Sequence, residues 1–427
     1  MSPFVVLAYS GGLDTSAIVP WLRDVHGARV LCYAANVGQA GELSGLEEKA
    51  IRSGAADCIV EDLREEFVTG VIFPTLKAGA VYARTYLLGT AMARPVIAAG
   101  QVAVARKMGA TALAHGCTGK GNDQVRFELT WQALAPDLGV IAPWREWQFR
   151  GREDLIAYCA SKGVPVESSR AKPYSRDRNL WHCSHEGGIL EDPAQAPPPD
   201  LFLITSDPVM APDQADEVAI TFEQGVPVAV DRVPHSPVTL VELLNQVAGL
   251  HGVGRADVVE DRLVGMKSRG IYETPAGTLL RTAHRELEQL TLDRRTLGLK
   301  DQLAQRYADL VYEGRWWTTE REALDALVDR TQQCVTGTVR MKLYKGNAII
   351  ASRTSPYSMY NEALASFGDG SGYDHGDAEG FINLFSLPTR AEADQRRRME
   401  QAARDGNAAP DPSAGSSIRA ALEHSNA

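Results

Sequence analysis

Residues 9–16 read YSGGLDTS, directly after the apolar run FVVLA (4–8) and before AIVPWL (17–22). A short β-branched run such as FVVLAY (4–9) fits a buried strand, and TSAIVPWLRDV fits the helix after it, which Pro20 is predicted to kink or shorten. Between them the backbone is bare. Gly11 and Gly12 carry no side chain that would keep an anion from main-chain N–H groups. A helix starting near Asp14 adds free N–H groups and the positive end of its dipole. Ser10, Thr15 and Ser16 add hydroxyl donors. The junction is therefore a candidate phosphate cradle. It is not the GxxxxGK[ST] loop, because no Lys-Ser/Thr pair closes it, and not GxGxxG, because its glycines adjoin. The plainer alternative is a strand–helix turn with Asp14 as N-cap.

Outward from this junction, strand and helix patterns alternate. RVLCYAA (29–35) and ADCIVEDL read as strands, with ELSGLEEKAIRSG between them as a helix ending at Gly54. REEFVTGVIFPTL and RPVIAAGQVAVARKMGA read as helices, TALAHG (111–116) as a strand, QVRFELTWQALA as a helix, GVIAPW as a strand and GREDLIAYCASKG as a helix. Such alternation predicts a parallel, doubly wound α/β sheet, with ligands beyond the carboxyl ends of its strands. Both glycine-rich stretches, after Tyr9 and after His115, leave such ends.

Beyond about residue 166 the pattern becomes α+β. Strand runs flank Gln224-Gly225, SPVTLVELLNQVAGLHG reads as a helix, and TVRMKLYKGNAIIASR reads as a hairpin turning at Lys345-Gly346-Asn347. AEADQRRRMEQAARDG is a charged, exposed helix, and the last residues read as a flexible tail. The expected division is residues 1–166, 167–387, a helical arm at 388–406 and a tail at 407–427.

The bulk properties narrow the classes. The 427 residues carry a net charge of −10, which disfavours generic binding to nucleic acid or to anionic membranes. No apolar run has the length of a membrane span, and the N-terminus lacks the pattern of a signal peptide. The six cysteines are scattered with no CxxC pair, which fits reduced thiols in cytoplasm.

A second loop, HGCTGKGNDQVRFE (115–128), is denser in chemistry. Gly116, Gly119 and Gly121 open the backbone. Lys120 suits phosphate; Thr118, Asn122, Asp123 and Arg126 supply donors and acceptors of both signs. That set suits a small zwitterion, its carboxylate on Arg126 and its ammonium on Asp123. His182, Cys183 and His185 in WHCSHE look like metal ligands, but their spacing is too tight for an ordinary closed zinc site. The alternative is a loop beside the ligand with Ser184 pointing in. His115 reads as a buried histidine or a phosphate contact, and Trp316-Trp317 as packing.

The first loop resembles the pyrophosphate-binding loop of the N-type ATP pyrophosphatases. Together with the second loop it resembles argininosuccinate synthases, from about Phe4 to Leu387. YAANVGQ (33–39), YLLGTAMARP (86–95), KPYSRDRNLWHCSHEGGILEDP (172–193) and HGVGRADVVEDRLVGMKSRGIYETPAG (251–277) match in order. The resemblance implies an adenine nucleotide alpha hydrolase-like domain, an α+β synthetase domain and a C-terminal arm. It implies ATP as substrate with Mg²⁺, no separate metal site, and a homotetramer. It places ATP on Ala8, Tyr9, Ser10, Gly11, Gly12, Leu13, Asp14, Thr15 and Ser16, with Ala35 and Gly116 beside the adenosine. It places citrulline on Tyr86, Asn122, Arg126, Ser175, Ser184, Glu260 and Tyr272, and aspartate on Thr118, Asn122 and Asp123. Asp14 and Asp123 are the candidate catalytic residues, and Asp123 or the departing phosphate oxygens are the candidate bases for the aspartate amine. Ala91 departs from the pattern, since many relatives carry a serine there that contacts citrulline. The rival readings are another amide-forming or thiolating enzyme of the ATP pyrophosphatase class, or a non-catalytic nucleotide sensor on the same fold.

Overall fold

A computed structural model describes residues 2–164, 174–365 and 373–405. The chain forms two units, Met1–Met359 and Tyr360–Ala427. The expected boundary at 166/167 and the tail from 407 lie outside the described residues.

The first five strands are β1 (Phe4–Ala8), β2 (Arg29–Asn36), β3 (Asp57–Asp62), β4 (Ala112–Ala114) and β5 (Gly139–Ile141). They form one all-parallel sheet in the order β3-β2-β1-β4-β5. The order reverses between β1 and β4, and at that switch point strand ends leave a crevice for ligands. Both glycine-rich loops start there.

Helices cover both faces because β1 is apolar on both. Val5 and Leu7 pack into one core with Ile18 and Leu22 of helix Leu13–His26. Val6 packs into the other with Val102 and Ala105 of helix Gly89–Met108. All three strand residues are fully buried, each stabilising the fold by about 1.5–3 kcal/mol. Gln101 ties the switch point together, its amide donating to Val6 O at 2.9 Å and Ala114 O at 3.0 Å.

Two local expectations need correction. Helix Leu13–His26 runs unbroken through Pro20. The helix expected over residues 42–54 is shorter, a 3₁₀ turn Ala40–Leu43 followed by helix Leu46–Arg52, because Gly45 takes the left-handed conformation at φ 70° and ends the first piece.

The later strands form two antiparallel sheets. β6 (Ser175–Arg178), β7 (Cys183–Glu186), β11 (Arg255–Asp261) and β12 (Lys267–Glu273) pair in the order β11-β12-β7-β6. β8 (Asp216–Glu223), β9 (Val226–Val230), β10 (Val233–Pro234), β13 (Gly337–Tyr344) and β14 (Asn347–Thr354) pair as β10-β9-β8-β13-β14. The β8–β9 turn has positive φ at Gln224 and Gly225, and the β13–β14 turn at Lys345 and Gly346, the twist that tight hairpins favour. The second unit, described by itself, contains helices Gly376–Phe385 and Leu387–Arg404.

Candidate active site

Two cavities meet at the switch point. The smaller, about 300 Å³, lies over the ends of β1, β2 and β4. Gly11 turns the first loop at φ 71°, and a Cβ there would lie 2.5 Å from Leu46 Cδ1, so only glycine fits. Gly12 has the extended backbone of an N-cap, and no side chain caps the helix. Asp14 is thus the second residue of the helix and not its cap. Ser10 Oγ accepts from Gly12 N at 3.3 Å and meets Thr15 Oγ1 at 3.2 Å. Ala8, Tyr9, Ser10, Gly12, Asp14, Thr15, Ala35 and Gly116 line the cavity. Gly11, Leu13 and Ser16 stand behind it: Leu13 packs on the apolar core, and Ser16 Oγ lies 3.3 Å from Tyr9 Oη. Burial pushes the Asp14 carboxyl up, with Arg152 opposing.

The larger cavity, about 730 Å³, has the β11-β12-β7-β6 sheet as its floor. Ser175 pairs with Glu186, Asp177 with Ser184, and Ser184 with Tyr272. Strand alternation therefore turns Ser175, Asp177, Ser184, Glu186 and Tyr272 toward the cavity, and Cys183, His185 and Glu273 away from it. Tyr272 stacks on Tyr86 with ring centroids 4.3 Å apart and donates to Glu260 Oε1 at 2.9 Å. Glu260 Oε2 is buried without a hydrogen-bond partner among the described residues. Glu260 lines the cavity, so a ligand N–H would relieve the cost of that unpaired oxygen.

The second loop forms the opposite wall. Asn122 spans two elements, its amide donating to Tyr312 Oη at 2.8 Å and accepting from Leu263 N at 2.8 Å. Arg126 is buried; its Nε donates to Tyr312 O at 2.9 Å and a terminal nitrogen to Asp123 Oδ1 at 2.9 Å. Arg94 donates to Asp123 Oδ2 and pairs with Asp177 Oδ1, both at 2.8 Å. Burial opposes the charge on Asp123, but Arg94 and Arg126 outweigh it and hold the carboxyl below its usual value. A carboxylate held between two guanidinium groups is a fixed anion and a poor proton acceptor.

All nine residues expected to hold the two amino acids line this one cavity. Ala91 is buried and does not border it, whereas Thr90 does, with its hydroxyl 3.0 Å from His182 Nε2. Burial, with Arg94 and His185 adding to it, lowers His182 to about 3 and keeps its ring neutral. Cys183, His185 and Glu273 bring donor atoms within 4.8 Å. Glu273, however, already accepts from His185, from the N–H groups of Leu203, Ile204 and Thr205, and from the Thr205 hydroxyl. That cluster is a hydrogen-bonded anchor for the loop. His115 is buried and bonds Glu128 at 2.9 Å, as a core histidine does.

Sequence reasoning assigned no role to Arg94, Asp177, Glu186, Arg262 or Tyr312. Alternation in SRDR and CSHE would have placed Asp177 and Glu186 beside Ser175 and Ser184. Nothing local in the sequence marks Tyr312, which reaches the site from the end of helix Arg294–Tyr312.

A parallel doubly wound sheet whose bare loop at the switch point faces a large polar cavity has the architecture of a nucleotide-binding α/β protein. Residues 4–165 match the family model described as the arginosuccinate synthase N-terminal HUP domain, and 174–392 the arginosuccinate synthase C-terminal domain. The chain is 60% identical over 393 residues to the argininosuccinate synthase of Carboxydothermus hydrogenoformans, covering 92% of this chain and 98% of that one. It is 60% identical over 390 residues to the argininosuccinate synthase of a Roseiflexus species, covering 91% and 96%. Among solved structures, the U34-tRNA thiolase NcsA from Methanococcus maripaludis with its [4Fe-4S] cluster overlaps at 12% identity and TM-score 0.26, over 40% of this chain and 59% of that one. The chain belongs to the argininosuccinate synthase family. It is an ATP-dependent ligase that joins citrulline and aspartate in arginine biosynthesis.

Proposed function

We propose that the smaller cavity takes ATP and the larger takes citrulline and aspartate, and that they react through citrullyl-AMP. The observation that carries this reading is the shared wall: Cys117, Asp123 and Asp177 border both cavities. The ureido oxygen of citrulline attacks the α-phosphorus and pyrophosphate leaves. Its negative charge develops over the uncapped N–H groups in the first turn of helix Leu13–His26. AMP then becomes a leaving group on the ureido carbon, the aspartate amine attacks that carbon, and argininosuccinate and AMP are released. Glu260, Tyr272, Tyr86, Ser175 and Ser184 hold citrulline, with Arg126 and Asn122 at its border with aspartate. Thr118 and Asp123 hold aspartate.

Mg²⁺ fits the charge balance. The nucleotide cavity is bordered by Asp14, Glu42, Asp123 and Asp177 against Arg94 and Arg178, so a bare polyanion would meet excess carboxylate. Asp14 is the side chain at the phosphate loop that suits the ion, which would neutralise phosphate charge. The second unit supports assembly with further copies of the chain, as a homotetramer. Phe381, Ile382, Leu384 and Phe385 are exposed on helix Gly376–Phe385, just before the arm expected from 388. No helix among the described residues is long and apolar enough to cross a membrane, and all six cysteines are free, which supports a reducing, cytoplasmic setting.

The test is citrulline labelled with ¹⁸O in its ureido group. The label appears in AMP if citrullyl-AMP forms, and unlabelled AMP refutes the scheme. Release of pyrophosphate that ignores citrulline would refute the cavity assignment.

A further inference from the structure

The reaction has a proton to place. Aspartate arrives as an ammonium ion and attacks as an amine. Asp123 is the nearest acid in the proposed aspartate subsite, but both its oxygens accept from guanidinium groups. Asp177 is paired with Arg94 at 2.8 Å. Glu260 is buried and one of its oxygens accepts from Tyr272.

Glu186 differs from all three. Its Oε2 accepts from Arg262 at 2.7 Å, while its Oε1 takes no hydrogen bond from the described residues. About 32% of its side chain stays open, and it borders the larger cavity. Arg262 also donates to Lys120 O at 3.2 Å. One guanidinium thus joins Glu186, on the citrulline sheet, to the loop that carries Thr118, Asn122 and Asp123. The carboxylate lies on the cavity side of the sheet that carries Ser175 and Ser184, tied to the loop that carries Thr118 and Asp123.

We propose that Glu186 accepts the proton from the α-ammonium of the incoming aspartate. This rests on the reading of the two cavities given above. The freed lone pair forms the new C–N bond to the ureido carbon, and the C–O bond to the phosphate breaks. The second N–H proton leaves with the AMP phosphate, and the product keeps a guanidinium.

The surroundings suit the task. Burial first, then Asp177 on β6, Glu260 on β11 and Asp123 on the second-loop helix, raise the Glu186 carboxyl to about 7, while Arg262 pulls it down. On β12, Lys267 and Arg269 are taken up by Asp261 and Asp257. A carboxylate tuned near working pH transfers protons well in both directions.

The variant is Glu186→Gln, whose amide oxygen still accepts from Arg262 and so keeps the tie to the second loop. Exchange of labelled pyrophosphate into ATP, with citrulline present and aspartate absent, reads adenylation alone. Argininosuccinate formation reads both steps. The expected result is exchange within about threefold of the parent and ligation down about 10²–10⁴-fold at pH 7. The ligation deficit shrinks about tenfold per pH unit above 7, as solution supplies free amine, while the parent loses ligation below about 7. A deficit constant with pH, or equal loss of exchange and ligation, overturns the proposal in favour of a structural role. If the parent chain shows no citrulline-dependent exchange, the two-cavity reading fails and takes the proposal with it.

Discussion

Replacing Gly270 with alanine tests how the citrulline cavity is built. Gly270 lies on β12 two residues before Tyr272, and a Cβ there would sit 2.5 Å from Tyr272 Oη and 2.6 Å from its Cζ. The strand is held in register with Val258 of β11, so the tyrosine ring must move. Movement breaks the 2.9 Å bond to Glu260 and disturbs the stack on Tyr86. A hydrogen bond to a charged group contributes about 1.5–3 kcal/mol. At about 1.4 kcal/mol per factor of ten, the citrulline KM should rise roughly 10- to 150-fold. Steady-state kinetics with each substrate varied in turn provide the assay, and the ATP KM should hold within about twofold. Tyr272→Phe removes the hydroxyl directly and should match the effect. The double variant should cost little more than either single change, because both act on one bond. An unchanged citrulline KM in Gly270→Ala, or an equal rise for ATP, would refute this account of the floor.

Asp14→Ala should cut pyrophosphate release severely while leaving thermal stability level or higher, since partial burial disfavours the charge on its carboxylate; near-normal turnover counts against the first loop. Arg126→Ala should raise the KM of both amino acids and lower Tm, because breaking a buried ion pair costs about 3–5 kcal/mol; an effect confined to ATP contradicts the placement. Glu273→Gln should flatten the acid side of stability. Burial opposes the charge on Glu273, but His185, the N–H groups of Leu203 and Ile204 and the Thr205 hydroxyl outweigh it and lower the folded carboxyl below its unfolded value. The stabilisation is therefore full above the unfolded value of about 4.3 and is lost as pH falls through the folded one. Urea unfolding from pH 7 to pH 3 should show the gap between parent and variant closing; a constant gap shows that the charge is not its source.

The parallel half of the fold was legible because its strands are buried on both faces and read as continuous apolar runs, as Val5, Val6 and Leu7 do. The left-handed break at Gly45 was not, since the residues around it keep helical periodicity. The second loop gave its chemistry away by density: Thr118, Asn122, Asp123 and Arg126 fall within nine residues. The antiparallel floor did not. Its residues are ordinary serines and acids, and only pairing β6 with β7 and β7 with β12 brings Ser175, Glu186 and Tyr272 to one face. In WHCSHE the same alternation turns Ser184 to the cavity and sends Cys183 and His185 to the other side, where Glu273 holds His185.

The shared wall also decides what kind of catalysis the protein performs. Among the described residues Cys117 is the one thiol or hydroxyl that borders both cavities, and burial, with Asp123 adding to it, drives its thiol far above the usual range. A thiol pushed that way is a weak nucleophile, and the adenylation scheme needs no enzyme-bound carrier. The other side chains at the wall, Asp123 and Asp177, are both held by Arg94 and stay put. What remains is placement, and holding two reactants in line lowers a barrier by about 7–11 kcal/mol. The labour then divides by backbone type. On the proposed reading, main-chain N–H groups of the first loop would grip the nucleotide, while side chains of the antiparallel sheet and of the second loop would grip the amino acids. Substitutions at Ser184 or Tyr272 should therefore weaken ligation through the citrulline KM while leaving ATP affinity, read by calorimetry, within about twofold. Loss of ATP binding in either variant would show that the two cavities act as one.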